Sequence, residues 1–392
     1  MQFLTDLPLW RSESGLPVPR QVVMGDDTVA ADVAYRMMCE GTGMLWRGDF
    51  HNARQLLQAL SRRTQKRSSK KSVKNLTADF TQAFHLYRQA LGQRARVLGL
   101  LLIPLDAEYR IPLRRAPDVR EACDQAWGPS SGQASMVSLR ELLGVVGAYE
   151  WRKKGVEITA LGVAPNNRIY PHYGVFSPVR GEYIDLVATA PMDDHTLAFE
   201  IGVGTGVLSA LLVKRGVKRV VATDCDTRAL ACAKVNIERL GFSDQVELVH
   251  ANLFPVGLAP LIVCNPPWVP ARPTSPIERA VYDENSGMLR GFLSGLREHL
   301  TPEGEGWLIL SDLAEHLGLR SRETLLQWMA EGGLQVLGRQ DTRPRHGKVE
   351  DRDDPLHLAR VAEVTSLWRL GLKTTSCESS GQGGPTKSET LV

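Results

Sequence analysis

The feature that most constrains this chain is the passage Thr196-Leu197-Ala198-Phe199-Glu200-Ile201 running into Gly202-Val203-Gly204-Thr205-Gly206 and then the apolar stretch Val207 to Arg215. A buried strand that turns through three closely spaced glycines into a helix leaves the backbone free to take positive φ and to approach a ligand. The helix then offers its N-terminal N–H groups to that ligand. A dinucleotide fingerprint wants its last glycine one place later, where Val207 stands, which disfavours a hydride-transferring dehydrogenase. Glu200, just ahead of the glycines, would repel a pyrophosphate and favour a cationic ligand.

The next strand, Arg219-Val220-Val221-Ala222-Thr223-Asp224, ends in an acid about twenty residues past the glycine loop, a position suited to gripping ribose hydroxyls. Asp226 is better placed than Asp224 to cap the helix Thr227 to Leu240, so Asp224 stays available to a ligand. Val246 to Asn252 reads as a third strand. The alternation of strands and helices predicts an open, mostly parallel α/β sheet whose ligands sit at the carboxyl ends of the strands. Glu200, Asp224, Asn252 and Asn265 all fall at such ends.

Leu261-Ile262-Val263-Cys264 runs into Asn265-Pro266-Pro267-Trp268. Neither proline offers an N–H and both hold φ near −65°, so this elbow is stiff and rich in acceptors. The Asn265 side-chain oxygen and the Pro266 carbonyl can grip the two hydrogens of a planar nitrogen whose lone pair is delocalised. Trp268 would stack on the flat group that carries it and keep water out. A proline-rich turn ending in a core tryptophan is the plain alternative.

Residues 175 to 370 resemble a class I S-adenosylmethionine-dependent methyltransferase, most closely the HemK/PrmC type that methylates protein glutamine. The resemblance rests on the acid and glycine loop, Asp224, the run Ala229 to Asn236, Asn265-Pro266-Pro267-Trp268, and Asn285-Ser286-Gly287-Met288, in that order. The segment Gly174 to Glu182 is similar to the family's lead into its first helix. It implies S-adenosylmethionine as cofactor, held by Glu200, Gly202, Gly204, Gly206, Asp224 and Asn252, with Asn265, Pro266, Pro267 and Trp268 as the catalytic elbow. Two positions depart from the family: Trp268 stands where tyrosine is usual, and Asn252 where an aspartate commonly meets adenine.

Three functions fit these residues. Transfer to a protein glutamine is placed first, transfer to an exocyclic amino group of a base in RNA or DNA second, and a cofactor-binding protein without catalysis third. A base would have to be presented single-stranded or flipped to stack on Trp268.

The expected organisation is an accessory, substrate-recognition domain over residues 1–160, mostly helical α+β, then the methyltransferase domain over 161–372 and a disordered tail over 373–392. Asp26 to Ala59 reads as helical, Leu76 to Leu91 as a helix with Phe80, Phe84 and Tyr87 as a packing stripe, Leu100 to Leu105 as a strand and Ser138 to Lys154 as a helix. Later elements are a helix Met288 to Leu300, a turn Thr301 to Gly306, a strand Trp307 to Asp312, a helix Leu313 to Glu331, and strands Leu334 to Gly338 and Val361 to Leu370. The charged segment Asp341 to Asp354 is expected to be a mobile loop near the active face.

The net charge of +3 recruits no polyanion globally. The basic residues Arg62, Arg63, Lys66, Arg67, Lys70, Lys71 and Lys74 are either a solvated stretch or a nucleic-acid contact. The scattered cysteines show no C-x-x-C pair, so neither disulfides nor a metal is expected, and Cys225 and Cys264 read as small buried hydrophobes. His195, His250 and His299 read as structural, since the target nitrogen can lose its proton after transfer. With no apolar run approaching the ~20 residues of a span, the protein is expected to be soluble and cytoplasmic, with a protein, RNA or DNA partner.

Overall fold

The computed structural model describes residues 7–72, 79–179, 181–345 and 350–373. The first half opens with β1 (Leu9–Arg11), β2 (Gln21–Gly25), α1 (Ala31–Cys39), β3 (Thr42–Trp46) and α2 (Phe50–Ser72). It continues with α3 (Phe80–Leu98), β4 (Leu101–Leu105), α4 (Arg120–Trp127), β5 (Ser135–Ser138) and α5 (Leu139–Lys154). Its strands form one sheet in the order β1-β5-β4-β3-β2, parallel except where β4 meets β5.

The first half is mostly helical, as expected, but β3 breaks the helix drawn from Asp26 to Ala59. All residues of β3 are buried, so the strand shows no alternation to betray it. The available signal is Gly41, at φ 93°, which stops α1 just before the strand begins. The buried Asp49 then starts α2 by accepting from the His51 N–H at 2.9 Å, and Arg115 holds it at 2.6 Å. Basic residues from Arg62 onward lie along α2, where Arg62 is exposed and Arg63 pairs with Asp32 at 2.8 Å. Lys74 falls outside the described residues.

Two short strands, β6 (Val156–Glu157) and β7 (Arg168–Ile169), pair antiparallel ahead of α6 (Glu182–Thr189). Then come β8 (Leu197–Ile201), α7 (Val207–Lys214), β9 (Arg219–Asp224), α8 (Thr227–Leu240), β10 (Val246–His250) and β11 (Ala259–Cys264). The chain continues through α9 (Gly287–His299), β12 (Leu300–Ser311), α10 (Leu313–His316), α11 (Arg322–Glu331), β13 (Leu334–Thr342), α12 (His357–Ala362) and β14 (Thr365–Leu372). The second sheet runs β10-β9-β8-β11-β12-β14-β13, parallel from β10 to β12 and antiparallel at β14. The expected class I α/β sheet with its closing antiparallel hairpin is therefore present. From β8 the chain builds outward to β10, then returns to the other side of β8 as β11, so the order reverses between β8 and β11. Crevices at such reversals are where open α/β sheets bind ligands.

Several boundaries differ from the sequence reading. The expected turn Thr301 to Gly306 lies inside β12, whose ladder slips so that Leu300 faces Ala259 while Glu305 faces Leu261, leaving the four residues 301–304 opposite Pro260 alone in a bulge. Leu313 to Glu331 is two helices, broken at Gly318 (φ 67°) and restarted where Ser321 accepts from the Thr324 N–H. β13 reaches Thr342, and α12 occupies the residues where the last strand was expected to begin. Part of the charged loop, 346–349, and the tail from 374 lie outside the described residues.

Helix α3 belongs to both halves. Val97 and Leu98 at its end join the core of the first sheet, whereas Ala83 and Phe84 pack with Val269, Leu313, Leu317, Leu356 and Ala359 of the second half. Phe84 is 3% exposed, and its burial contributes about 1.5–3 kcal/mol. The expected stripe packs at Phe84 and the half-buried Tyr87, whereas Phe80, expected in it, is exposed.

At the other end of the sheet, α11 closes onto α9 through Gly332, where an added Cβ would sit 2.4 Å from the Leu293 carbonyl oxygen. Gly332 has φ −71°, so an alanine there meets no backbone penalty and only this clash. Gly332→Ala is expected to lower the unfolding free energy by about 1–3 kcal/mol. Urea denaturation reads it, and an unchanged midpoint would remove this packing argument.

Candidate active site

Pairing between β8 and β11 ends with Cys264 opposite Ile201, so Gly202 and Asn265 are the next residues on neighbouring strands. The glycine loop is pinned from β9, where the Thr223 carbonyl accepts from both Gly202 N–H (2.9 Å) and Val203 N–H (2.8 Å). Gly202, Gly204 and Gly206 all take positive φ, at 81°, 51° and 80°. Their surroundings differ. A Cβ on Gly206 would press against Ala233 of α8 at 3.3 Å, one on Gly202 would meet the Met288 methyl at 2.9 Å, and one on Gly204 would meet nothing. Gly206 lets the helices approach, and Gly204 faces open space.

Asp224 does cap backbone, contrary to a wholly free carboxylate. One oxygen accepts from Gly204 N–H at 3.1 Å and the other from Asp226 N–H at 2.9 Å. Asp226 itself accepts from Arg228 N–H at 2.8 Å and caps α8, as the sequence predicts. Burial raises the Asp224 pKa, and its backbone bonds work against that rise. Asn252 lies just past β10 and is exposed, and the Thr223 hydroxyl ties down the loop there by donating to Leu253 O at 2.5 Å.

Glu200 is 2% exposed, and the Ser209 hydroxyl of α7 donates to its carboxylate. Burial pushes its pKa up from 4.5 to about 8. The Ser209 bonds oppose the rise, the Asp224 charge adds to it, and no basic side chain among the described residues offsets it. Two acids at adjacent strand ends with no cation between them suit a cationic ligand and reject a pyrophosphate. By charge and by the space over Gly204, the donor set fits S-adenosylmethionine.

In the elbow, Pro266 is buried, while Asn265 and Trp268 are half-buried. Trp268 packs where the clusters from both faces of the sheet and from α3 meet. Its indole N–H donates to Asn265 Oδ1 at 2.9 Å, an interaction the sequence reading lacked. Since indole is a donor only, the facing amide atom must be the oxygen. One Asn265 lone pair is thereby used and the amide's orientation is set.

Beyond Trp268 the chain loops back. Val269 N–H donates to Val281 O at 3.1 Å and its carbonyl accepts from Asp283 N–H at 2.9 Å. Asp283 then caps α9, accepting from Met288 N–H at 3.1 Å and Leu289 N–H at 3.2 Å. The cap signal is hidden in sequence because Asn285 and Ser286, at φ 57° and 54°, separate the acid from its helix.

Asn236 also joins the upstream segment to the glycine loop. It accepts from Tyr170 N–H at 2.7 Å and donates to Thr205 O at 3.0 Å. Cys264 is buried as expected, but Cys225 is exposed and its carbonyl meets His250 Nε2 at 3.1 Å, which corrects its assignment to the core. Among the described residues no helix is long and apolar enough to cross a membrane, and no group of three or more His, Cys, Asp or Glu could hold a metal ion.

Residues 166–322 match the family model of the methyltransferase small domain. The chain is 27% identical over 200 residues to a tRNA1(Val) (adenine(37)-N6)-methyltransferase of Shewanella loihica, covering 48% of this chain and 78% of that protein. It is 32% identical over 90 residues to the ribosomal protein L11 methyltransferase of Vibrio parahaemolyticus, covering 23% of this chain and 30% of that one. A solved putative RNA methyltransferase from Pyrococcus horikoshii is 16% identical, with a TM-score of 0.38 over 58% of this chain and all of that one. The family match and the order of the seven-stranded sheet give the fold of class I methyltransferases. The protein is an S-adenosylmethionine-dependent methyltransferase.

The raised pKa of Glu200 has a defined sign. Between pH 4.5 and about 8 the folded protein holds a proton that the unfolded chain has released, so this group's stabilisation is present at low pH and lost as pH rises toward 8. Glu200→Gln is expected to flatten that fall, by at most about 1.4 kcal/mol per pH unit for one proton. Urea unfolding of both proteins across the window measures it. Parallel slopes would mean that Glu200 is ionised in the folded state.

Proposed function

We propose that this enzyme methylates the exocyclic amino group of adenine in an RNA substrate. The observation that carries the reading is the acceptor pair beside the glycine loop, with Asn265 held by Trp268 at 2.9 Å. The amino group's two hydrogens are gripped by the remaining Asn265 Oδ1 lone pair and by the Pro266 carbonyl, and Trp268 stacks on the base. When bound, S-adenosylmethionine would supply an electrophilic sulfonium methyl to the gripped nitrogen and leave as S-adenosylhomocysteine.

Glu200 would hold the cationic end of the cofactor, Asp224 its ribose hydroxyls and Asn252 its adenine. Gly202, Gly204 and Gly206 let the backbone come close. The two prolines keep the elbow stiff and withhold N–H groups that would compete for its acceptors. No base is required, because the nitrogen sheds a proton once it is methylated.

Glutamine methylation uses the same acceptor pair and is the second reading. It ranks lower because the Shewanella relative, described by its tRNA adenine-N6 activity, is matched over 200 residues, whereas the protein-modifying relative is matched over 90. Separate division of the chain into an accessory half for substrate recognition and a catalytic half is part of this proposal.

Labelled cofactor should transfer its methyl to total cellular RNA, with the label recovered as N6-methyladenosine after nuclease digestion. Label on protein that protease removes and nuclease does not would replace this reading with the glutamine one. Asn265→Ala should lower transfer by about 100-fold or more while leaving S-adenosylhomocysteine affinity within about twofold, because the contact is made chiefly in the transition state. Wild-type turnover in that variant would reduce the elbow to a structural turn.

A further inference from the structure

The Asn265–Trp268 elbow leads directly into the loop from Val269 to Ser286, and one side chain of the first half holds that loop at three points. Arg88, on α3, directs Nη1 to Glu278 Oε2 at 3.1 Å and Nη2 to the Arg272 carbonyl at 2.8 Å. Its guanidinium also lies 4.0 Å from the centre of the Tyr282 ring. Fork and face are both used, which lysine cannot reproduce.

We propose that Arg88 is a positioning residue for methyl transfer: by fixing Arg272, Glu278 and Tyr282 it sets the place of Val269 and hence of Trp268 and Asn265. The inference rests on the catalytic reading of that elbow. Tyr282 bridges Val269 in register, so a shift of Tyr282 is passed to the residue next to Trp268. The Phe84 ring, one turn earlier on α3, lies 6.5 Å from the same tyrosine.

Arg88 and Glu278 are only 14% and 28% exposed, so water screens the pair weakly. Glu278 also accepts from Thr274 N–H and hydroxyl, each at 2.8 Å. Burial raises its pKa, but the bonds from Thr274 together with the Arg88 charge outweigh that and hold the carboxyl below its ordinary value. A further link, from the Thr81 hydroxyl to the Leu317 carbonyl at 2.9 Å, ties the start of α3 to the same half. Because α3 is rooted in the first core through Val97 and Leu98, its grip is that of a rigid beam.

The test joins hydrogen exchange with kinetics. In Arg88→Ala, amides of residues 274–283 should exchange at least about tenfold faster while those of β8, β9 and β11 stay unchanged. Its kcat for labelled methyl transfer to total RNA, or to cell protein if that is the acceptor, should fall about tenfold, with S-adenosylhomocysteine affinity within about twofold. Arg88→Lys should not restore kcat. Glu278→Gln keeps acceptors for Thr274 and loses the ion pair, so it should shift exchange and kcat the same way by less, and it carries the test should Arg88→Ala not fold.

Unchanged loop exchange in the variants, or faster exchange with wild-type kcat, overturns the role of Arg88. Failure of the elbow reading shows separately, as wild-type turnover in Asn265→Ala. The exchange measurement requires no knowledge of the acceptor.

Discussion

Everything at the candidate site depends on the ladder between β8 and β11. It ends at Ile201 and Cys264, so the glycine loop and the proline elbow leave the sheet side by side at the point where strand order reverses. A slip of β8 by one residue would turn Glu200 and the other side chains of that strand to the opposite face. The Thr223 carbonyl then fixes the glycine loop through two N–H groups, while its hydroxyl fixes the loop beyond β10. One threonine on β9 therefore sets two walls of the crevice through both its backbone and its side chain.

Electrostatically the crevice is unfinished. Glu200 is buried and Asp224 half-buried, both with raised pKa values, and the hydrogen bonds they receive do not cancel the cost of desolvation. Such an arrangement is favourable when a cation arrives and costly without one. Local polar support is extensive, since Ser209, Gly204 and Asp226 all donate to these acids.

How much of this was legible follows from how local each signal is. The central strands β8, β9 and β11 were readable because each is a short apolar run ended by a glycine, an acid or an asparagine. Asp226 as a cap could be read from its two neighbours. The first sheet was not readable in this way: β3 is buried on every residue and sits between helices, so its pattern resembles helix as much as strand. Bulged residues 301–304 look like a turn because proline and glycine mark both. The Trp268 bond to Asn265, the Asp283 cap and the Arg88 contacts depend on the loop folding back, and no spacing in the sequence encodes that return.

The sharing of α3 between two cores bears on how this chain can be divided. Cutting ahead of β6 would preserve every strand of the seven-stranded sheet. It would also strip the cover from Val269, Leu313 and Leu317 and leave Glu278 without its guanidinium. The half that carries the seven-stranded sheet is thus not a portable cassette: transplanted onto another partner domain, it would carry an apolar scar beside the loop from Val269 to Ser286 unless the incoming partner brought a helix of the same shape.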